Sequence, residues 1–434
     1  MIWIYRILFL PVFALSIPYF LWHMKRRGGY KKDLHHKFGD IPDHGKIKSG
    51  GKRIWIQAVS VGEMKALRPL IDRLANNPEI EVILTTITST GYSIAKESYA
   101  DQVEGIYYFP LDFVPFNRKA WNRIRPDLCL LMEGELWPEH IHRARKRKIP
   151  IVLINARLSD KTYRLYRRLG RSTRYLFNSL DQVITSSPSN AERFQKLGCT
   201  PEKIITVGNL KCDVPLPEPL TEIEKNTLIQ ELGLNDPNCN NGQPLIVCGA
   251  STWNGEEEIL FRILEELTEE GHQLRLLVVP RHMERRDEIK SQINGHNMSF
   301  HFRSEGRSKN SVQACIGDTT GELAIFLQIS DLVFIGRSLP PHKGGQTPIE
   351  AGMLGKPIFF GPDMSNFREI AKSLLAHGVA EKVYDEPSLK TAIRELCLNK
   401  DLRRERGEKA TQWLRSNQGA TDRTLKALKG FIGS

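Results

Sequence analysis

Gly344-Gly345-Gln346-Thr347-Pro348-Ile349-Glu350-Ala351-Gly352 follows the apolar run Leu332-Val333-Phe334-Ile335-Gly336 and opens a helical pattern. A short apolar run closed by glycine reads as a buried strand. Two glycines permit a turn whose backbone N–H groups face an anion, and a helix N-terminus adds its positive dipole end. Thr347 is placed to cap that helix, with Pro348 at its first position and Glu350 at its third. A carboxylate at Glu350 also stands one turn from the anion, where it accepts hydrogen bonds from a ribose. The same residues read equally as an ordinary Thr-x-x-Glu capping box.

Strand, small-residue turn and helix recur on both sides of this stretch. Pro244 to Gly249, Leu274 to Val279 and Lys356 to Phe360 read as further strands of the same half. Earlier in the chain come Ile54 to Val59, Glu81 to Thr86, Leu128 to Met132, Ile151 to Ile154 and Gln182 to Thr185. Helical patterns such as Met64 to Ala75 and Pro138 to Lys146 lie between them. This alternation predicts α/β architecture with parallel, doubly wound sheets. Pro215-Leu216-Pro217-Glu218-Pro219 reads as a linker between two Rossmann-like halves. Two such halves imply a cleft between them, with ligands outside the carboxyl ends of the strands. Asn235 to Gly242 and Ser304 to Asn310 read as surface loops, and Asp401 to Ile432 as a basic helical tail.

The chain has 434 residues, long for one domain, and a formal net charge of +12. That balance suits nucleic acid, anionic lipid or phosphorylated substrates, and says nothing about fold. Seven scattered cysteines form no Cys-x-x-Cys pair, which argues against a disulfide framework or zinc knuckle and fits a reducing compartment. No His, Cys or Asp cluster has metal-ligand spacing.

Residues Ile7 to Trp22 are almost wholly apolar, with Arg6 before them and Pro11 and Pro18 inside. As a helix they span roughly 24 Å, short of a hydrocarbon core of about 30 Å, so the segment either tilts little or lies in the interface. Lys25-Arg26-Arg27 and Lys31-Lys32 follow, which places the rest of the chain on the cytoplasmic side. An uncleaved N-terminal anchor is expected. An apolar helix packed in the protein core is the other reading.

Polar clusters fall where strands end. Ser60-Val61-Gly62-Glu63 puts a carboxylate in a first helical turn, suited to proton abstraction or simply to the helix dipole. Glu133-Gly134-Glu135-Leu136-Trp137-Pro138 brings two more carboxylates, for a site or for salt bridges. Asn155-Ala156-Arg157-Leu158-Ser159 offers a bidentate cation, and Gly208-Asn209-Leu210-Lys211 a lysine just before the linker. In the second half, Gly249 to Glu257 forms another small-residue turn. Pro280-Arg281-His282 ends a strand with a cation, suited to a phosphate or an ion pair. Asp318-Thr319-Thr320-Gly321-Glu322-Leu323 makes one more turn before a helix.

In this order, and over nearly the whole chain, these motifs resemble the 3-deoxy-D-manno-octulosonic acid (Kdo) transferases of lipopolysaccharide synthesis. Gly29-Tyr30 and Phe38-Gly39 add to the match. The resemblance implies a GT-B fold of glycosyltransferase family 30 type, with a C-terminal helix that returns to the first domain. It implies inverting transfer of Kdo from CMP-Kdo to a lipid A precursor (lipid IVA), with no metal in the transfer. Implied domains are an anchor at 1–24, an acceptor domain at 25–214, a linker region at 215–243, a CMP-sugar domain at 244–410 and the returning helix at 411–434. By resemblance Glu63 is the base, and Glu133 and Lys211 stabilise the transition state. Pro280, Arg281, Gly321, Glu322, Leu323, Gly344, Gly345, Thr347, Pro348, Ile349 and Glu350 hold CMP. The implied place is the cell inner membrane, with catalytic domains on the cytoplasmic side and anionic lipids as partners.

The chain departs from the family pattern, which has Thr at Gly134, His-Asn at Gln346-Thr347, Phe at Cys212, His at Trp253 and Gly at Arg337. The basic runs Arg143 to Lys148 and Arg164 to Arg174 suit anionic lipid, or form solvated helix faces. A different GT-B transferase or epimerase using UDP-sugars is the alternative enzyme. A membrane-tethered nucleic-acid binder is remote, because few aromatic residues interleave with the cations.

Overall fold

The computed structural model describes residues 2–26, 33–47, 50–236 and 243–433. The chain forms two compact units, Met1–Val214 with Gln418–Ser434, and Pro215–Asn417.

Unit 1 is built on seven strands: β1 (Lys52–Gln57), β2 (Ile80–Thr86), β3 (Gly105–Tyr108), β4 (Leu128–Met132), β5 (Ile151–Ala156), β6 (Gln182–Thr185) and β7 (Ile204–Thr206). Their order is β3-β2-β1-β4-β5-β6-β7 and every pairing is parallel. A parallel sheet needs helices on both faces, so its strands read as unbroken apolar runs. Alternate residues show the two faces. Ile54, Ile56, Leu128, Leu130 and Met132 enter one core. Trp55, Cys129 and Leu131 enter the other.

Unit 2 repeats the plan with β8 (Leu245–Thr252), β9 (Leu274–Pro280), β10 (Phe300–Phe302), β11 (Ala314–Ile316), β12 (Leu332–Ile335), β13 (Ile358–Phe360) and β14 (Ala380–Lys382). The order is β10-β11-β9-β8-β12-β13-β14, again parallel throughout.

The α/β expectation of parallel doubly wound sheets holds in each unit. Five strands escape the sequence reading: β3, β7, β10, β11 and β14. Each has three or four residues, too few for a period to show. The single helix expected over Met64 to Ala75 is two, Val61–Ala66 and Arg68–Ala75. Pro69 sits at the start of the second, where its missing N–H is tolerated. The tail also divides, into Lys400–Asn417 and Ala420–Ile432, at Gly419 with φ +85°. The second of these helices belongs to unit 1. Asp213 accepts from the N–H groups of Gly419 and Thr421, at 2.7 and 2.5 Å, and Lys52 Nζ donates to the carbonyl of Phe431.

A helix does form over Ile2–Arg26, with both prolines inside it. Among the described residues, no helix is long and apolar enough to cross a membrane, which corrects the spanning form of the anchor. The helix is fastened to unit 1. Tyr5 donates to Asp112 at 2.8 Å, Arg6 pairs with buried Glu139 at 2.9 Å, and Phe9 stacks on Phe113. Trp3, Ile4, Ile7 and Leu8 stay exposed. Gly29-Tyr30, Arg27, Lys31-Lys32 and most of the loop Asn235 to Gly242 lie outside the described residues.

Candidate functional site

In unit 1 the strand order reverses between β1 and β4, so the loops after these two strands flank the crevice where ligands bind. Ser60 caps the helix Val61–Ala66 and its hydroxyl accepts from the Glu63 N–H. The Glu63 carboxylate folds back. One oxygen accepts from the Val59 N–H and the other from the Ser60 hydroxyl, both at 2.9 Å. Glu63 is only 7% exposed. Burial, and then the negative charge of Glu133, raise its pKa, against the pull of the Val59 and Ser60 hydrogen bonds and of Lys211.

Glu133 follows β4 directly, in left-handed backbone with φ +58°. Its oxygens meet Lys211 Nζ at 2.8 Å and the Arg157 guanidinium at 2.6 Å. Burial pushes its pKa up, but the two cations outweigh that and hold Glu133 ionised, below the usual range. Glu135 differs. Burial and the charge of Glu63 push it up to about 7, although Trp137 Nε1 donates to it at 2.8 Å. Three neighbouring carboxyls thus divide into one fixed anion and two groups that favour a proton. Environments that push titratable groups apart in this way mark acid–base sites.

The positions of Arg157 and Lys211 follow from β5 and from the turn after β7. Asn155, buried and at φ +48°, accepts from the Leu210 N–H at 3.1 Å. Asn209 accepts from the Lys211 N–H at 3.1 Å. Asp213 in the same turn caps the last helix, so the chain's far end helps hold Lys211 in place.

In unit 2 the order reverses between β8 and β12. Their ends press together: a Cβ on Gly336 would lie 2.3 Å from the Ser251 carbonyl oxygen. Glu256, 2% exposed, ties both loops. It accepts from the backbone N–H groups of Trp253, Arg337, Ser338 and Leu339 at 2.7 to 3.2 Å. Burial raises its pKa, against the lowering effect of those four bonds.

The glycine turn is built differently from the sequence reading. Gly344 N–H donates to Asp363 at 3.0 Å, and Gly345 N–H to the Arg337 carbonyl at 3.0 Å. Both amides therefore serve the loop itself rather than facing an anion. Both glycines have positive φ, +105° and +68°, and a Cβ on Gly345 would strike the Met364 sulfur. Pro348, not Thr347, is the N-cap of the helix Ile349–Met353. Thr347 Oγ1 accepts from the Ile349 N–H at 3.3 Å, so no Thr347–Glu350 capping box forms. Proline lacks the N–H that would continue the box, and a five-residue helix leaves little room for one.

Arg281 stands exposed after β9, its N–H bonded to the Thr252 carbonyl. Pro280 ends β9, Gly321 has φ +91°, and Leu323 starts the helix Leu323–Ile329. Glu322 accepts from Thr319 and pairs with Arg303 at 3.2 Å. The structure joins Glu63, Glu133, Glu135, Arg157 and Lys211 in unit 1. In unit 2 it joins the 344–350 turn to Arg337 and Trp253. Glu256 and Asp363 carry these loops without having been singled out. Their signal is faint: acidic residues just after the glycines of a strand-end turn, Gly255-Glu256 and Gly361-Pro362-Asp363.

In unit 1, ligand atoms of Asp33, His35 and His36 lie within 4.8 Å of one another, a grouping the sequence reading does not single out. Asp33 stands there in left-handed backbone, φ +60°. The six described cysteines are free thiols.

A family model described as 3-deoxy-D-manno-octulosonic-acid transferase (kdotransferase) matches residues 32–214. One described as glycosyl transferases group 1 matches residues 249–413. The 3-deoxy-D-manno-octulosonic acid transferase of Haemophilus influenzae is 33% identical over 383 residues, covering 87% of each chain. That of Chlamydia pneumoniae is 25% identical over 99% of this chain and 96% of its own. Among solved structures, UDP-GlcNAc 2-epimerase from Neisseria meningitidis bound to UDP-GlcNAc superposes with a TM-score of 0.61 at 14% identity. It covers 87% of this chain and 100% of its own, and at that identity the likeness speaks for the GT-B-like fold alone.

Proposed function

The chain belongs to the 3-deoxy-D-manno-octulosonic acid transferase family, and we propose that it moves Kdo from CMP-Kdo to a hydroxyl of a lipid A precursor, with inversion. The observation that carries this reading is the carboxylate set of unit 1. Glu63, with its raised pKa, accepts the proton of the acceptor hydroxyl as that oxygen attacks the anomeric carbon. Glu133, with Lys211 and Arg157 on its two oxygens, is a fixed charged cluster that stabilises charge developing in the transition state. Preorganised charge of this kind reorganises little during reaction, which is where its benefit arises.

In unit 2 the donor seat comprises Pro280, Arg281, Gly321, Glu322, Leu323 and the turn 344–350. Glu350 takes the ribose hydroxyls. With the Gly344 and Gly345 amides engaged in the loop, cations such as Arg281 take the phosphate. Transfer needs no metal in this reading, because protein cations neutralise the leaving CMP.

Unit 1 also has the surface for a bilayer. Trp3, Ile4, Ile7 and Leu8 are exposed on the N-terminal helix. The helix Asp160–Leu169 buries none of its residues and exposes Leu165 and Leu169 among Arg164, Arg167 and Arg168. Apolar side chains with flanking arginines suit a helix lying in the interface of an anionic leaflet. The protein then sits on the cytoplasmic face of the inner membrane, by an interfacial lie rather than a span.

The test is incubation with a tetraacylated lipid A precursor and CMP-Kdo made in situ, chelator being added after the donor is formed. Product mass should rise by whole Kdo units. No increment, with CMP still bound, would point to another sugar or acceptor.

A further inference from the structure

Trp253 follows β8 and Arg337 follows β12, so the two residues sit on either side of the unit 2 switch point. The Arg337 guanidinium carbon lies 4.5 Å from the centre of the Trp253 ring. His282 meets that ring edge-on at 5.2 Å, and His342 is tilted against it at 5.7 Å. His342 Nε2 lies 2.7 Å from the Asn254 carbonyl oxygen, which fixes its ring. One indole thus gathers a guanidinium and two imidazoles.

This cluster is held firmly. His282 Nδ1 has Glu284 Oε1 at 3.3 Å, but the guanidinium and the indole N–H are left unanswered among the described residues. The Glu256 carboxylate fixes the backbone of Trp253 and Arg337 together, and the Gly345 N–H holds the Arg337 carbonyl. Arg337 is kept in left-handed backbone, φ +59°, which a non-glycine residue adopts only when its surroundings impose it. Among the described residues, the Arg337 guanidinium makes no ion pair and no hydrogen bond. The Trp253 Nε1–H is buried and has no hydrogen-bond partner there. A guanidinium over a ring face gives up none of its N–H donors to that contact, so its fork stays available to match an oxyanion bidentately.

We infer that Arg337, stacked on Trp253 beside His282 and His342, forms an oxyanion subsite that grips the charged end of the donor. It rests on the reading of unit 2 as a CMP-sugar seat. The donor offers two oxyanions, its phosphate and the carboxylate of its sugar, and both have the geometry the fork matches.

The experiment titrates full-length wild type, Arg337→Met and Arg337→Lys with cytidine and with CMP by calorimetry, and measures the donor KM with CMP-Kdo made in situ. Phosphate recognition weakens CMP binding about tenfold in Arg337→Met and leaves cytidine unchanged. Carboxylate recognition leaves CMP unchanged and raises the donor KM about tenfold. Arg337→Lys keeps the charge without the fork and falls between, and it carries the test if Arg337→Met does not fold. CMP affinity and donor KM both within twofold of wild type, at an unchanged melting midpoint, would overturn the subsite. A wild type that transfers no Kdo yet binds CMP in an Arg337-dependent way would keep the subsite and remove the donor reading. A wild type that binds no CMP would remove both.

Discussion

The loops after β1 and β4 in unit 1 gather Glu63, Glu133 and Glu135. The loops after β8 and β12 in unit 2, tied by the buried carboxylate Glu256, gather Arg337, His342 and a nearby His282 around the Trp253 ring. Both places are the switch point of a seven-stranded parallel sheet. Topology therefore supplies the crevice, and side-chain charge decides what each crevice does. In unit 1, crowded carboxyls raise one another's pKa and cations pin one of them, which is an arrangement for moving a proton. In unit 2, the carboxylate is occupied by backbone amides and the Arg337 guanidinium over Trp253 has no acidic partner among the described residues, an arrangement that suits holding an anion.

The sharpest way to break this contrast is to remove the cation that pins Glu133. Lys211→Met leaves a buried carboxylate with Arg157 alone, and Glu133 then moves up toward protonation. Stability should fall by about 3–5 kcal/mol and turnover by more than about 10²-fold. Denaturant melts and rates together check it, and normal rates would show that the pair is only structural. In unit 2, Glu256→Ala strips the acceptor from four amides and should cost on the order of 3 kcal/mol, with weaker CMP binding. A melt with no loss would mean that these loops hold without it. Gly345→Ala forces a Cβ against Met364 at positive φ, for about 1–3 kcal/mol and a poorer donor KM. The smallest effect concerns Glu135. Its carboxyl ionises near 4.5 when unfolded and near 7 when folded. Between those values the unfolded chain releases the proton first, so this group's contribution erodes stability as pH rises through that window. Glu135→Gln should remove that part of the slope in melting midpoint against pH, and an unchanged slope would place the carboxyl in water.

Much of this was legible in the chain because parallel strands are unbroken apolar runs that end in small residues. Ile54 to Ile56 and Leu332 to Ile335 announce themselves, and so do the acids and the lysine that follow such strands. Three-residue edge strands such as Phe300–Phe302 carry no period to read. The Thr347-x-x-Glu350 spacing suggested a capping box, but Pro348 moved the helix start by one residue and dissolved it. Gly344 and Gly345 read correctly as a tight turn, yet sequence does not say which acceptors the amides choose. Asp363 and the Arg337 carbonyl, 19 and 8 positions away, answer that. Partners distant in sequence, such as Asp213 with the Ala420–Ile432 helix, leave no local trace either.

The most direct measurement compares wild type and Glu63→Gln for two quantities at once, CMP affinity by calorimetry and Kdo added to a lipid A precursor by mass. The account predicts unchanged CMP affinity with transfer reduced by at least about 10²-fold, because the proton acceptor is gone and the anion seat is intact. Transfer near the wild-type rate in Glu63→Gln would contradict it and move the base elsewhere, with Glu135 the first to examine.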